Sequence, residues 1–377
     1  VTQSWQAALE RWHDAGLLDA STVDRIRAFE ASHEEPGQLR WPVLIAVGFG
    51  ALMLGAGVLL FVAAHWDQLS PASRFSLVLL LVAVFHVAGA LASSRFTSLA
   101  TALHGIGTIA AGAGIFLSAQ IFNLQEHWPG GILLWAIAAW MGWWLLRDWV
   151  QAALAAILTP AWLASEWIDV AERHHASVRW AFLGLLLLAL TYLSAVYGSE
   201  RGSTRRALAW IGGIALLPLT VICAVNDEWT WSHGAIPAAA YLIGVPLALL
   251  GPLVLAYRLR ARESWKNVVA AIWVLAAWLI PLHAGPGDLV AQLAPYAWCS
   301  IGAIGLIAWG FVEARKERIN LGIAGFGLTI LVFYFSRVMD KLGRSASLIS
   351  LGLLFLLLGW FLEKTRRQLL ARIAGAQ

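Results

Sequence analysis

Gly105-Ile106-Gly107-Thr108-Ile109-Ala110-Ala111-Gly112-Ala113-Gly114-Ile115-Phe116-Leu117 lies in a stretch without Asp, Glu, Lys or Arg, long enough to cross a bilayer. Its glycines follow a Gly-x-Gly-x4-Gly-x-Gly ruler. The same ruler stands 57 residues earlier at Gly48, Gly50, Gly55 and Gly57, running into Val58-Leu59-Leu60-Phe61. Residues seven apart return to nearly one helix face, because two turns take about 7.2 residues. Gly48 and Gly55 share a face, as do Gly105 and Gly112. Gly50 with Gly57, and Gly107 with Gly114, share another face about 200° around the axis. Small residues let membrane helices approach closely. Each ruler therefore predicts a helix-packing element sandwiched between two neighbours. A sliding surface or a cavity wall is the functional alternative.

The rest of the chain belongs to the same class. Of 377 residues, 60% are hydrophobic and 13% charged, where a soluble domain carries roughly 25% charge. Mean hydropathy is +0.71. Apolar runs such as Leu183 to Leu190 and Leu351 to Trp360 do not alternate, which excludes a β-barrel pattern. The expected fold is all-α, a polytopic transmembrane helical bundle. Twelve spans are expected, near 42–64, 74–93, 97–119, 129–146, 149–165, 179–198, 206–225, 234–257, 266–281, 290–312, 319–336 and 345–363. With both termini inside, inner segments hold 20 of the 26 Lys and Arg residues and outer loops hold 6. That bias follows the positive-inside rule. The expected location is a membrane crossed many times, with both termini cytoplasmic.

Residues 1–40 read as a cytoplasmic helical hairpin and linker. Trp5, Leu9 and Trp12 recur at helical spacing, Gly16 is a helix stop, and Ser21-x-x-Asp24 is a capping box before Val23, Ile26 and Phe29. This head has no apolar signal-peptide region, so the first span is expected to act as the targeting signal. It is too small for a robust core and is expected to dock on another membrane or envelope protein. Residues 41–365 form the bundle, with 42–93 and 97–146 as candidate repeated hairpins, and 366–377 form a basic tail. Gly325-Phe326-Gly327 is a weaker echo of Gly48-Phe49-Gly50. Many of the 22 tryptophans fall at expected interfaces and read as an aromatic belt in contact with membrane lipids.

Chemistry is sparse in the sequence. Cys223 and Cys299 fall in apolar spans and read as small hydrophobes, without CxxC or zinc spacing. There is no P-loop, nucleophile elbow, HExxH or pair of catalytic carboxylates, so no enzyme activity and no cofactor is expected. The pI of about 9.3 reflects topology, and no motif implies nucleic acid. Nearly every charge sits in a loop or at a span edge, which argues against an ion-coupled pump. Glu166, Asp169 and Glu172, with His174 and His175 behind them, read as an outer loop with a solvated face; a cation site is the weaker alternative. Gly212, Gly213, Pro218, Pro237, Pro246 and Pro252 interrupt the seventh and eighth spans, as kinks or as broken helices lining a substrate path.

The candidate polar site comprises His65, Asp67, His86, His104, Gln120, Asn123, Arg337 and Asp340. His86 and His104 lie within spans two and three, where the ordinary role is a neutral hydrogen bond and the alternative a proton relay. Gln120 and Asn123 end the third span, His65 and Asp67 end the first, and Arg337 and Asp340 form an i, i+3 pair.

The order of these features carries a resemblance. Trp12-x3-Gly16-Leu17-Leu18-Asp19 precedes the first ruler and His65-Trp66-Asp67. The second ruler leads to Gln120-Ile121-Phe122-Asn123-Leu124 and Trp128-Pro129-Gly130-Gly131-Ile132-Leu133-Leu134-Trp135. Asn320-Leu321-Gly322 and Ser336-Arg337-Val338-Met339-Asp340 follow near the C-terminus. The chain resembles the bacterial membrane-protein family called domain of unknown function 2157, most specifically over residues 1 to about 145. The resemblance implies a multi-span inner-membrane protein and supplies no catalytic residues. Two functions are open on the sequence: a non-enzymatic scaffold or subunit of an envelope complex, and a transporter or flippase for a lipid-like or apolar substrate.

Overall fold

The computed structural model describes residues 9–33, 49, 53, 70–121, 127–198, 202–225, 234–280, 288–338, 349, 352–353, 356, 359–360 and 364. The chain divides into two compact units, Val1–Ser70 and Pro71–Gln377. The first ruler, Gly48, Gly50, Gly55 and Gly57, lies outside the described residues, as do His65, Asp67, Asn123 and Asp340.

In the first unit, residues 9–14 are helical and stop at Gly16, whose φ of +69° suits a residue without Cβ. The Leu17 amide closes that turn on the Trp12 carbonyl. Helix α1 follows, Ala20–His33. The expected capping box is displaced by two residues. Asp19 precedes the helix, its carbonyl accepts from the Thr22 and Val23 amides, and its carboxylate accepts from the Ser21 hydroxyl. Side-chain hydrogen bonds, from Ser21 first and then Thr22, lower the Asp19 carboxyl to about 2. Leu9 and Val23 are buried.

The described part of the second unit contains ten α-helices. They are α2 (Pro71–Ala92), α3 (Thr97–Ile121), α4 (Pro129–Leu146), α5 (Trp149–Arg173) and α6 (Arg179–Leu193). They continue as α7 (Ser203–Val225), α8 (Ala238–Arg260), α9 (Trp265–Ala276), α10 (Leu289–Val312) and α11 (Lys316–Phe333). No strand occurs among the described residues. Eight helical stretches among the described residues are long and apolar enough to cross a membrane. One of these runs from Ala238 to Leu279 through a 3-10 turn at Ala261–Ser264, where Ala261 has a φ of +49°. The chain is a multi-pass membrane protein.

Helix α6 has 15 residues, about 22 Å of length, yet it is the centre of the second unit. Leu183, Leu186, Leu187, Leu190 and Leu193 are buried along one face, and Ala181, Gly184, Ala189, Thr191 and Tyr192 are buried on the others, as expected of a helix enclosed on every side. They pack with Leu216 and Cys223 of α7, Val274 of α9 and Trp298 and Leu306 of α10. Gly212 brings α7 onto α6 backbone to backbone; a Cβ there would stand 2.3 Å from the Ala189 carbonyl oxygen. Helices α9 and α10 are pinned by Trp273 and Trp298. Their rings stack at 4.4 Å and 6°, and each indole N–H donates to the other residue's carbonyl, at 3.0 and 2.8 Å.

Two local expectations are corrected. The fifth span does not end near 165: α5 continues to Arg173, so Glu166, Asp169 and Glu172, expected on one helical face of an outer loop, belong to the span's own helix. The cause is local pairing, with Trp162 donating to Glu166 at 2.8 Å, Arg173 pairing with Asp169, and His127 facing both carboxylates. Of the two readings of the prolines in the seventh and eighth spans, kinks or broken helices, it is the broken-helix one that is overturned. Pro218 lies inside a continuous α7, and Pro246 and Pro252 inside a continuous α8, which Pro237 caps.

Candidate functional site

Helix α3 is held on two sides. A Cβ on Gly105 or Gly112 would meet Val150 of α5 at 2.6 Å or Trp135 of α4 at 2.1 Å. A Cβ on Gly107 or Gly114 would meet His86 at 2.8 Å or Val78 at 2.6 Å, both on α2. The absent side chains are therefore replaced by neighbours on both faces, and one of those neighbours is polar.

His86 and His104 are brought together across α2 and α3. Their Nδ1 atoms are 3.1 Å apart, and each ring fills the space over a glycine of the other helix, His104 over Gly89 and His86 over Gly107. One nitrogen must carry the proton and the other accept it, so the pair shares a single proton in this contact. His104 is buried. One turn on, the Thr108 hydroxyl lies 3.1 Å from the His104 carbonyl and 3.0 Å from Gln151 Oε1 of α5. It has one proton to divide between them. The Trp135 indole donates to the Thr108 carbonyl at 2.9 Å. Gln151 is fully buried and its Nε2 has no hydrogen-bond partner among the described residues. The polar string thus runs from α2 through α3 to α4 and α5.

Of the other expected site residues, only Gln120 and Arg337 are described, and neither joins it. Gln120 is exposed at the end of α3. Arg337 is exposed in the π-helical turn Tyr334–Val338 and donates to Gln292 of α10 at 3.2 Å.

A second polar centre went unread in the sequence. Charge is not confined to exposed edges: the side chains of Arg260, Glu313 and Arg318 are 0%, 6% and 2% exposed. Glu313 caps α10 and gathers three cations. Arg260 at the end of α8 pairs with both oxygens, Arg318 of α11 reaches Oε2 at 2.5 Å, and Lys266 of α9 reaches Oε1 at 3.0 Å. The Trp309 indole also donates to Oε1 at 2.6 Å. Burial alone would raise the Glu313 carboxyl. The Arg260 hydrogen bond, the Arg318 charge and the bonds from Trp309 and Lys266 outweigh it and hold it at about 2. The arginines then bind the loop after α6. Arg260 donates to the Ser194 carbonyl at 2.8 Å, Arg318 to Val196 at 3.3 Å and Arg315 to Gly198 at 3.0 Å. The loops after α6, α8 and α10 therefore meet at one end of the bundle.

Arg179, at the start of α6, is buried too. It donates to the Ala277 carbonyl and lies over the Trp278 ring at 4.6 Å. No carboxylate pairs with it among the described residues, and its Nε has no hydrogen-bond partner.

Two apolar grooves flank α6. One, of about 580 Å³, lies between α4, α5, α6, α7 and α8, from Trp167 and Trp180 to Thr204 and Leu259. The other, of about 450 Å³, lies between α7, α9, α10 and α11, from Pro295 and Val332 to Trp265, Lys266 and Trp309.

Residues 10–152 match the family model "Predicted membrane protein (DUF2157)". No curated protein and no solved structure matches the chain. The DUF2157 match contains the entire His86–His104–Thr108–Gln151 string and ends one residue beyond Gln151. The Glu313 centre, Arg179 and the groove beside α9 lie outside the DUF2157 match.

Proposed function

We propose that the protein is a non-enzymatic component of the bacterial inner membrane, with twelve spans and both termini cytoplasmic, acting as a scaffold or subunit of an envelope complex. The observation that carries this reading is the head. It is a short helical pair with little room for a core, and it leaves Trp12 49% and Leu17 72% exposed. Exposed aromatic and aliphatic anchors of this kind are what a protein partner covers. The test is native-gel mass after extraction in mild detergent. The wild-type chain should migrate well above its own mass, and the Trp12→Ser/Leu17→Ser double variant should fall towards a single chain. Identical migration of both at single-chain mass would sink the proposal.

A second reading, handling of a lipid-like substrate, is favoured by the groove between α5, α6 and α8. Along α5 it extends from Ala152 to Trp167, about 22 Å of helix, which is most of the hydrocarbon thickness. Transport of a fluorescent lipid in proteoliposomes, abolished by Gly251→Phe, would support it; an unchanged rate would count against it.

A further inference from the structure

We infer that the groove between α7, α9, α10 and α11 holds one anionic phospholipid, with an acyl chain along the groove and the phosphate at its basic mouth. Its lining is apolar over nearly its whole length, from Pro295 to Val312 on α10, about 25 Å of helix. That length matches an acyl chain running through most of the roughly 30 Å hydrocarbon layer. The exception is at one end. There Lys266 lines the groove beside Trp265 and Trp309.

Charge complementarity selects the headgroup. Lys266 belongs to the Glu313 centre, where Arg260, Lys266 and Arg318 face the two carboxylates of Glu313 and Glu263. Cations exceed carboxylates in that cluster before Arg315 is added. Both Glu313 oxygens are already taken by the arginines, so Lys266 is the most replaceable of its partners. Lys266 also keeps 14% of its side chain exposed, whereas Arg260 keeps none. The Arg260 Nε is buried without a hydrogen-bond partner. Arg262, in the 3-10 turn before α9, and Lys316, the first residue of α11, are exposed. A basic pocket between membrane helices at a cytoplasmic end suits an anionic headgroup, and flanking tryptophans suit the interfacial level. A zwitterionic lipid would bring its own cation to a place that already has too many.

Gly305 makes the proposal testable with little risk to the fold. It lines the groove on α10, and a Cβ built there meets nothing within 4 Å. Gly305→Leu would fill the groove and improve helix propensity. Val269→Trp, from the exposed face of α9, fills it independently. The experiment is native mass spectrometry of the detergent-purified full chain, with dioleoyl phosphatidylglycerol or dioleoyl phosphatidylcholine added. Wild type should retain one phosphatidylglycerol at least tenfold more than phosphatidylcholine. Either groove-filling variant, with unchanged circular dichroism, should lose that adduct, and added inorganic phosphate should not displace it. Equal retention of the two lipids would overturn the proposal, as would undiminished phosphatidylglycerol on both folded variants. Displacement by inorganic phosphate would also overturn it, showing a site for a free anion. The inference concerns a resident lipid and stands apart from the head's partner and from the groove beside α5.

Discussion

Glu313 carries one negative charge and meets three positive ones, so its loss reaches further than one residue. Removing one partner of a buried ion pair strands the other and costs about 3–5 kcal/mol. Glu313→Gln should lower the thermal unfolding midpoint in detergent markedly. Lys266→Met should cost less, because Lys266 is partly exposed and the two arginines still hold both Glu313 oxygens. A midpoint unchanged in Glu313→Gln would show that the three loops are held by other means. The same residue sets a pH response. Its carboxyl is held at about 2, below an ordinary 4.5. A depressed carboxyl contributes stability that is full above the unfolded value and lost as pH falls through the folded one. Stability should therefore decline between about pH 4.5 and 2, and the slope difference between wild type and Glu313→Gln isolates this group. Parallel slopes would reject the assignment.

At the scale of elements, α3 is set by what its glycines omit. A methyl on Gly112 would fall 2.1–2.5 Å from the Trp135 ring, whose indole also serves the Thr108 carbonyl. Overpacking of this kind costs about 1–3 kcal/mol. Gly112→Ala should lower the unfolding midpoint, whereas Gly130→Ala in the first turn of α4, with nothing within 4 Å, should leave it nearly unchanged. Equal effects would mean that α3 and α4 relax apart freely. The two faces of this helix were legible in the sequence because a seven-residue spacing maps directly onto helix geometry. The meeting of His86 with His104 was not, since it depends on how α2 and α3 cross. The length of α5 was hidden for a different reason: Glu166, Asp169 and Glu172 look like a solvated loop until His127 and Arg173 are placed beside them.

For the whole molecule, hydropathy located most helix boundaries between 71 and 338 to within a few residues, because the cost of unpaired backbone in lipid enforces long helices. It could not locate the Glu313 centre. Arg260 and Glu313 are 53 residues apart, and only the packing of α8, α9, α10 and α11 makes an end-of-span charge into a buried one. Cationic end loops that each look like an ordinary topology signal turn out to share one anion. Topology itself is open to a direct check: a reporter fused after Arg372 should read as cytoplasmic, and an extracytoplasmic signal would overturn the even number of spans.

The paired indoles of Trp273 and Trp298 carry a last consequence. Two stacked indoles with centroids 4.4 Å apart interact as a coupled oscillator, which is bisignate when their in-plane transition moments are skewed. The pair should contribute a bisignate band to the ultraviolet dichroism that Trp298→Phe removes. Because Trp273 also borders the groove beside α9, that band offers an optical gauge, needing no label, of whether α9 and α10 stay in register when the groove is filled.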